Sequence, residues 1–341
     1  MTPRLNQSTK IWKLAKDLGI RAVNDPVSDI LRFCEKRIEK FSKDATDCRS
    51  LSDFLLLIAG KLGTYFEEVR DDSDLNDIKE KYLRKGEKGF VTLDREFSDD
   101  VLGITYRRLN RESWEPPFIS IIDCRGGNAR KAYYTKWHEL AHLLILTDQS
   151  RLSFQRTMHL SEKDPEEVLI DIIAGRFGFY HAFITPHING EISFEKIDVL
   201  RQTLCPEASY LSSLIGFVNA GPEPCMLVLC REGLKKSERR QAGQASLFDI
   251  RPRQALRAVK VTVNEAAKGK NIRIHENMRV PTDSVIHAVH AGEADYSEAM
   301  EDLSWWESSD GVVLPKTRIL VRAKSFWGET YALIIPISHQ A

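Results

Sequence analysis

The stretch YTKWHELAHLL, Tyr134 to Leu144, carries two histidines four residues apart with a glutamate directly after the first. On a helix this spacing sets His138 and His142 on one face, about one turn apart. Two neutral imidazoles so placed can hold Zn2+, and Glu139 stands where a carboxylate takes a proton from the water that such a metal activates. Catalytic zinc needs a third protein ligand and keeps a fourth position open. The segment DPEEVLIDIIAGRFGFY offers three acids after Asp164, which opens it. Glu167 and Asp171 lie four apart and share a helical face with Ala174 and Gly178, whereas Glu166 points elsewhere. Small side chains at Ala174, Gly175 and Gly178 let this helix come close to the histidine helix, as a shared metal requires. Asp171 is flanked by Ile170, Ile172 and Ile173, a setting too apolar for a surface position.

YTKWHELAHLL followed by DIIAGRF resembles the ImmA/IrrE family of bacterial zinc metallopeptidases, over about residues 50–220. An aromatic–Thr pair, here Tyr134–Thr135, stands just before HExxH. An acid-x-x-Ala-small-x-Phe helix follows, here Asp171, Ala174, Gly175 and Phe177. The acid is usually glutamate, so Asp171 departs from the pattern by one methylene, and Ala141 replaces the usual glycine before the second histidine. The resemblance implies zinc on His138, His142 and Asp171, with Glu167 as the alternative third ligand, and Glu139 as general base. It implies an α+β fold: a gluzincin- or aspzincin-like metallopeptidase domain with N-terminal helices, then a C-terminal mixed α/β, GAF-like sensor domain. The architecture is nearest the IrrE and CapP branches. Members cut a helix-turn-helix transcriptional repressor during DNA damage or phage defence, which here suggests single-stranded DNA as activator. The alternatives are a zinc peptidase with another substrate and a zinc-containing binding module without catalysis.

The elements that must position these residues follow from periodicity. Residues 8–62 read as helices, with Asp25 capping a helix that has Pro26 in its first turn and Gly63 ending the last. Strands are expected at TYFEEV, GFVTL, VLGITYRRL and PFISIIDC, then the histidine helix, then a helix over about 165–182. PFISIID precedes the histidine helix, as does the edge strand on which zincins lay an extended substrate. NAGPEP marks a boundary, after which CMLVLC, LRAVKVTV, NIRIHE, RILVRAKS and TYALIIPI read as strands. The expected division is a helical segment 1–49, a peptidase domain 50–221 and a regulatory domain 222–341.

Composition sets limits on the partners. Lys plus Arg equals Asp plus Glu at 49 each among 341 residues. No signal-peptide core opens the sequence, and the longest apolar run, Phe54 to Gly60, is too short for a bilayer. Six cysteines without a CxxC pair fit reduced thiols. A cytoplasmic protein without a membrane partner is expected. Charge is nonetheless uneven. Nine basic residues face three acids from Arg231 to Lys260, and seven acids stand without a lysine or arginine from His287 to Gly311. Lys235, Lys236, Arg239 and Arg240 are candidate nucleic-acid contacts, and Gln244–Phe248 (QASLF) resembles a sliding-clamp peptide. Cys124, after PFISIID and before the Gly126–Gly127 pair, is a candidate inhibitory zinc ligand. Tyr133, Tyr106 and His181 are candidates for the oxyanion partner.

Overall fold

The structure is a computed structural model and describes residues 5–98, 100–147, 153–157, 164–188, 190–235, 238, 254–270, 272–308 and 311–337. The chain is mixed α/β and divides into two compact units, Met1–Phe183 with Arg201–Ser213, and Ile184–Leu200 with Leu214–Ala341.

The first unit opens with helices α1 (Thr9–Asp17), α2 (Pro26–Ser42) and α3 (Leu51–Leu62). Their ends obey local chemistry. The Asp25 carboxylate accepts from the Ser28 N–H, with Pro26 at the first helical position. Ser50 and Asp53 form a reciprocal capping box on α3. Gly63 closes α3 at φ 75°, and a Cβ there would stand 2.9 Å from the Pro117 ring, so only glycine fits.

Next come β1 (Thr64–Val69), α4 (Asp72–Arg84), β2 (Val101–Arg107), β3 (Phe118–Asp123), α5 (Ala132–Leu144), β4 (Ser153–Thr157) and α6 (Pro165–Phe177). The four strands form one sheet in the order β1-β3-β2-β4, with β1 and β3 parallel and β2 antiparallel to both neighbours. PFISIID is therefore an interior strand and not the edge beside the histidines. That edge is β4, whose short SFQRT run gave no strand pattern. GFVTL is not a strand either. It forms a 3-10 turn, Lys88–Thr92, because Phe90 and Leu93 are buried while Val91 is 55% exposed, a spacing of three and not two.

Strand alternation gives this sheet two different faces. Ile104, Tyr106, Ile119 and Ile121 point into an apolar core with Leu75, Ile78, Tyr82 and Phe90. Thr105 pairs with Ser120, Gly103 with Ile122 and Arg156, and Thr64 with Phe118, which puts Gly103, Thr105, Ser120 and Arg156 on the opposite face. Helix α5 lies there. Nearly all of it is buried, and Trp137 at 1% exposure packs on Phe54 of α3 with ring centroids 6.2 Å apart.

The second unit holds β5 (Met226–Gly233), β6 (Ala255–Val263), β7 (Tyr296–Asp302), β8 (Arg318–Phe326) and β9 (Glu329–Pro336). They form an antiparallel sheet in the order β6-β5-β9-β8-β7. One face carries Met226, Val228, Val321 and Ile334 into a core with Ile286, Val289 and Trp306. NIRIHE forms no strand among its described residues. The acidic stretch supplies edge strand β7 instead, which the charge pattern had hidden.

One helical stretch, Pro165–His187, is long and apolar enough to cross a membrane by length and composition. Its residues Leu169, Ile170, Ile173, Ala174 and Phe177 are buried in the fold, and it carries Glu167 and Asp171. A buried core helix passes the same test of length and hydropathy.

Candidate metal centre

Helices α5 and α6 bring the expected residues together. Asp164 caps α6, its carboxylate accepting from the Glu166 N–H, and Pro165 takes the first helical position. Gly178, just past α6, touches α5: a Cβ there would sit 3.2 Å from the Trp137 ring and 2.8 Å from the Ala174 carbonyl. Gly175 has open space around its Cβ position, so it does not serve the close packing expected of it.

His138, His142 and Glu167 each present one ligand atom, all within 4.8 Å of one another. Glu167 Oε2 stands 3.2 Å from His138 Nε2, and Oε1 3.6 Å from His142 Nε2. Two ligands bonded at about 2.0–2.1 Å to a tetrahedral zinc lie about 3.3 Å apart. The spacing, and a donor set of two imidazoles and a carboxylate, fit zinc. His138 Nε2 is moreover buried without a hydrogen bond. The Glu167 carboxylate approaches it at 3.2 Å without hydrogen-bond geometry, which leaves the atom open to a partner from outside the chain.

Asp171, the acid in the motif position, is not the third member. Its Oδ1 lies 3.2 Å from Nδ1 of His138, the ring nitrogen turned away from the triad. There it fixes the ring's orientation and makes the imidazole a stronger donor, as a carboxylate behind a metal histidine does. The reason is helical geometry: Asp171 is one turn further along α6 than Glu167 and so meets the other edge of the ring. Tyr134 Oη donates to the Asp171 carbonyl at 2.8 Å and locks that turn. Burial disfavours charge on His138, but Asp171, Glu167 and Glu139 outweigh it and raise its pKa. The pocket is one that favours a cation.

Glu139 is fully buried on the sheet side of α5. Its Oε2 accepts from Thr105 Oγ1 at 2.7 Å; Thr105 meets Ser120 Oγ at 2.7 Å, and Ser120 meets Thr64 Oγ1 at 3.1 Å. Its Oε1 makes no hydrogen bond and faces Gly103, where a Cβ would intrude to 3.0 Å. Burial pushes the carboxyl up to about 7, against the pull of His138 and of the Thr105 bond. A carboxylate with one oxygen anchored and the other free, near neutral pKa, is equipped to take and return a proton.

Sequence reading had left out Gly103, Thr105, Ser120 and Arg156. A signal existed. Strands VLGITYR and FISIID are almost wholly buried, yet each places a small or hydroxyl residue on the same face. Arg156 Nη1 donates to Thr135 Oγ1 at 2.7 Å, and its guanidinium lies 4.7 Å from the Tyr134 ring centroid. The Tyr134–Thr135 pair thus holds Asp171 on one side and Arg156 on the other.

The remaining candidates fall elsewhere. Tyr133 Oη donates to the Gly178 carbonyl at 2.5 Å and Tyr106 Oη to Glu96 at 2.6 Å, so both are structural. His181 starts a short helix after α6 and is no member of the triad. Cys124 does not join the triad either. It sits at the end of β3 beside Glu68, Asp123 and Lys136, where burial pushes its thiol up to about 11. Of the basic segment, Arg231 is held by both oxygens of Glu329 and Arg257 is buried on Glu238. Lys235 bonds Glu238 through its backbone N–H. Lys236, Arg239, Arg240 and Gln244–Phe248 lie outside the described residues. All six cysteines are free thiols.

No protein-family model matches the chain, and no curated protein matches it.

Proposed function

We propose that the chain is a zinc-dependent endopeptidase, with zinc on His138, His142 and Glu167 and Glu139 as its general base. One observation carries this reading: two buried histidines and a half-buried carboxylate at zinc spacing, beside a buried glutamate with one free oxygen. Zinc in such a set supplies Lewis acidity, which acidifies water and polarises a carbonyl. Oε1 of Glu139 takes the proton of a water as the water oxygen adds to the peptide carbonyl carbon and the carbonyl π pair moves onto its oxygen. When that pair returns, the C–N bond breaks and Glu139 gives the proton to the departing amine. Thr105 holds Oε2 throughout, so the exchange stays on Oε1.

The motif resemblance to the ImmA/IrrE family extends the proposal to a cytoplasmic enzyme that cuts a helix-turn-helix repressor, with single-stranded DNA as activator. The antiparallel sheet of the second unit supports a GAF-like sensor role. Zinc content and cleavage of a partner repressor, each with and without single-stranded DNA, test the reading. His138→Ala is expected to lose both metal and cleavage. Wild-type protein free of zinc after expression in zinc-supplied medium would overturn it.

A further inference from the structure

Resting on the peptidase reading, we propose that Arg156 is a catalytic residue of this site, its guanidinium donating to the carbonyl oxygen of the substrate as negative charge develops there. Three observations converge on it. First, edge strand β4 puts Arg156 on the sheet face that carries Gly103 and Thr105, the face against which Glu139 lies. Its Nη1 reaches Thr135, one helical turn before Glu139 on α5. Second, the guanidinium is braced but not used up. Nη1 donates to Thr135 Oγ1, which itself donates to the Lys131 carbonyl at 3.1 Å, and the Tyr134 ring lies against the guanidinium. No other guanidinium nitrogen donates to a described residue, so one edge of the fork still has its N–H groups to give. Third, the residue paired with Arg156 across the strands is Gly103, which leaves the space beside Glu139 Oε1 without a side chain.

Charge supports the assignment. Glu139, Glu167 and Asp171 carry three negative charges; a divalent metal and Arg156 bring three positive ones. The loaded site is neutral, and the extra negative charge that the reaction places on the carbonyl oxygen requires a donor already fixed in position. Tyr133, Tyr106 and His181, the residues considered first for that task, have been placed elsewhere. Arg156 is a side chain other than the triad and Glu139 that brings unspent donors to the centre.

The test compares wild type, Arg156→Met and Arg156→Lys, each zinc-loaded, with two probes. N-phosphoryl-Leu-Trp carries a tetrahedral anion that copies the adduct of water and a peptide carbonyl, whereas acetohydroxamate reports an open metal position and needs no arginine. Zinc per chain and melting temperature are measured alongside. Expected are equal zinc content and equal acetohydroxamate affinity in all three proteins. The phosphoryl dipeptide should bind Arg156→Met about 100-fold more weakly, as for removal of an oxyanion donor. Arg156→Lys should lie between, since it keeps the charge and loses the fork. Equal phosphoryl-dipeptide binding in wild type and Arg156→Met, including none in either, would overturn the proposal while the peptidase reading stands. Loss of zinc from Arg156→Met would also overturn it, making Arg156 a support for the metal. Failure of zinc-loaded wild type to bind acetohydroxamate would instead strike at the peptidase reading beneath.

Discussion

Glu167→Ala and Asp171→Ala separate the proposed zinc ligand from its support, and their geometry ranks them. Glu167 sends one oxygen toward each imidazole Nε2, at 3.2 and 3.6 Å, so under the proposed assignment its loss removes a bond to zinc. Zinc held by four protein ligands is worth about 10–16 kcal/mol, or roughly 3–4 kcal/mol per ligand. Glu167→Ala should therefore weaken zinc about 100- to 1,000-fold. Asp171 meets His138 at Nδ1, behind the triad, and loss of such a partner typically costs about 10- to 100-fold. Competition against a zinc-responsive dye at pH 7, with melting temperature to confirm folding, reads both constants. Weaker zinc in Asp171→Ala than in Glu167→Ala would refute the assignment and restore Asp171 as the ligand.

Further expectations concern the surroundings of Glu139. In metal-free protein its pKa, raised by burial to about 7 against an ordinary 4.5, favours the protonated folded state. That stability is fully present below pH 4.5 and is lost as pH rises through about 7, by about 3 kcal/mol. Relative to Glu139→Gln, which cannot titrate, apo wild type should become less stable across that window; parallel melting curves of the two at every pH would contradict this. Gly103→Ala should cost about 1–3 kcal/mol by overpacking, since its Cβ would meet Thr135 Cγ2 at 2.8 Å as well as Glu139. It should also abolish cleavage; a fully active, fully stable variant would show that the space is not needed. Cys124→Ala should leave basal cleavage unchanged, because the thiol lies outside the triad. A rise in unstimulated activity would revive its inhibitory role.

Helix α5 was legible because its chemistry is local: HExxH puts its own residues on one face, whatever the rest of the chain does. The α3 and α2 ends were legible for the same reason, with Asp25, Pro26 and Gly63 each acting on the nearest turn. The third member of the triad was not. Glu167 and Asp171 share a helical face, and only the rotation of α6 against α5 decides which one meets Nε2. Strand β4 escaped because SFQRT, a short edge strand with one large apolar residue, has no alternation to read. Its absence from the reading concealed Arg156 and left PFISIID as the assumed edge. GFVTL and NIRIHE show the converse failure, where β-branched residues promised strands that packing did not use. The hydroxyls on Thr64, Thr105 and Ser120 acquire meaning only through strand register, which links residues more than fifty positions apart.

The central claim is a division of labour, with His138, His142 and Glu167 holding zinc and Glu139 moving the proton. Wild type and Glu139→Gln test it together, by zinc per chain and by cleavage of a quenched-peptide library and a partner repressor, with and without single-stranded DNA. About one zinc per chain is expected in both proteins, with the Glu139→Gln rate at least about 100-fold below that of wild type. Cleavage by Glu139→Gln at the wild-type rate, or loss of its zinc with the fold intact, would contradict it.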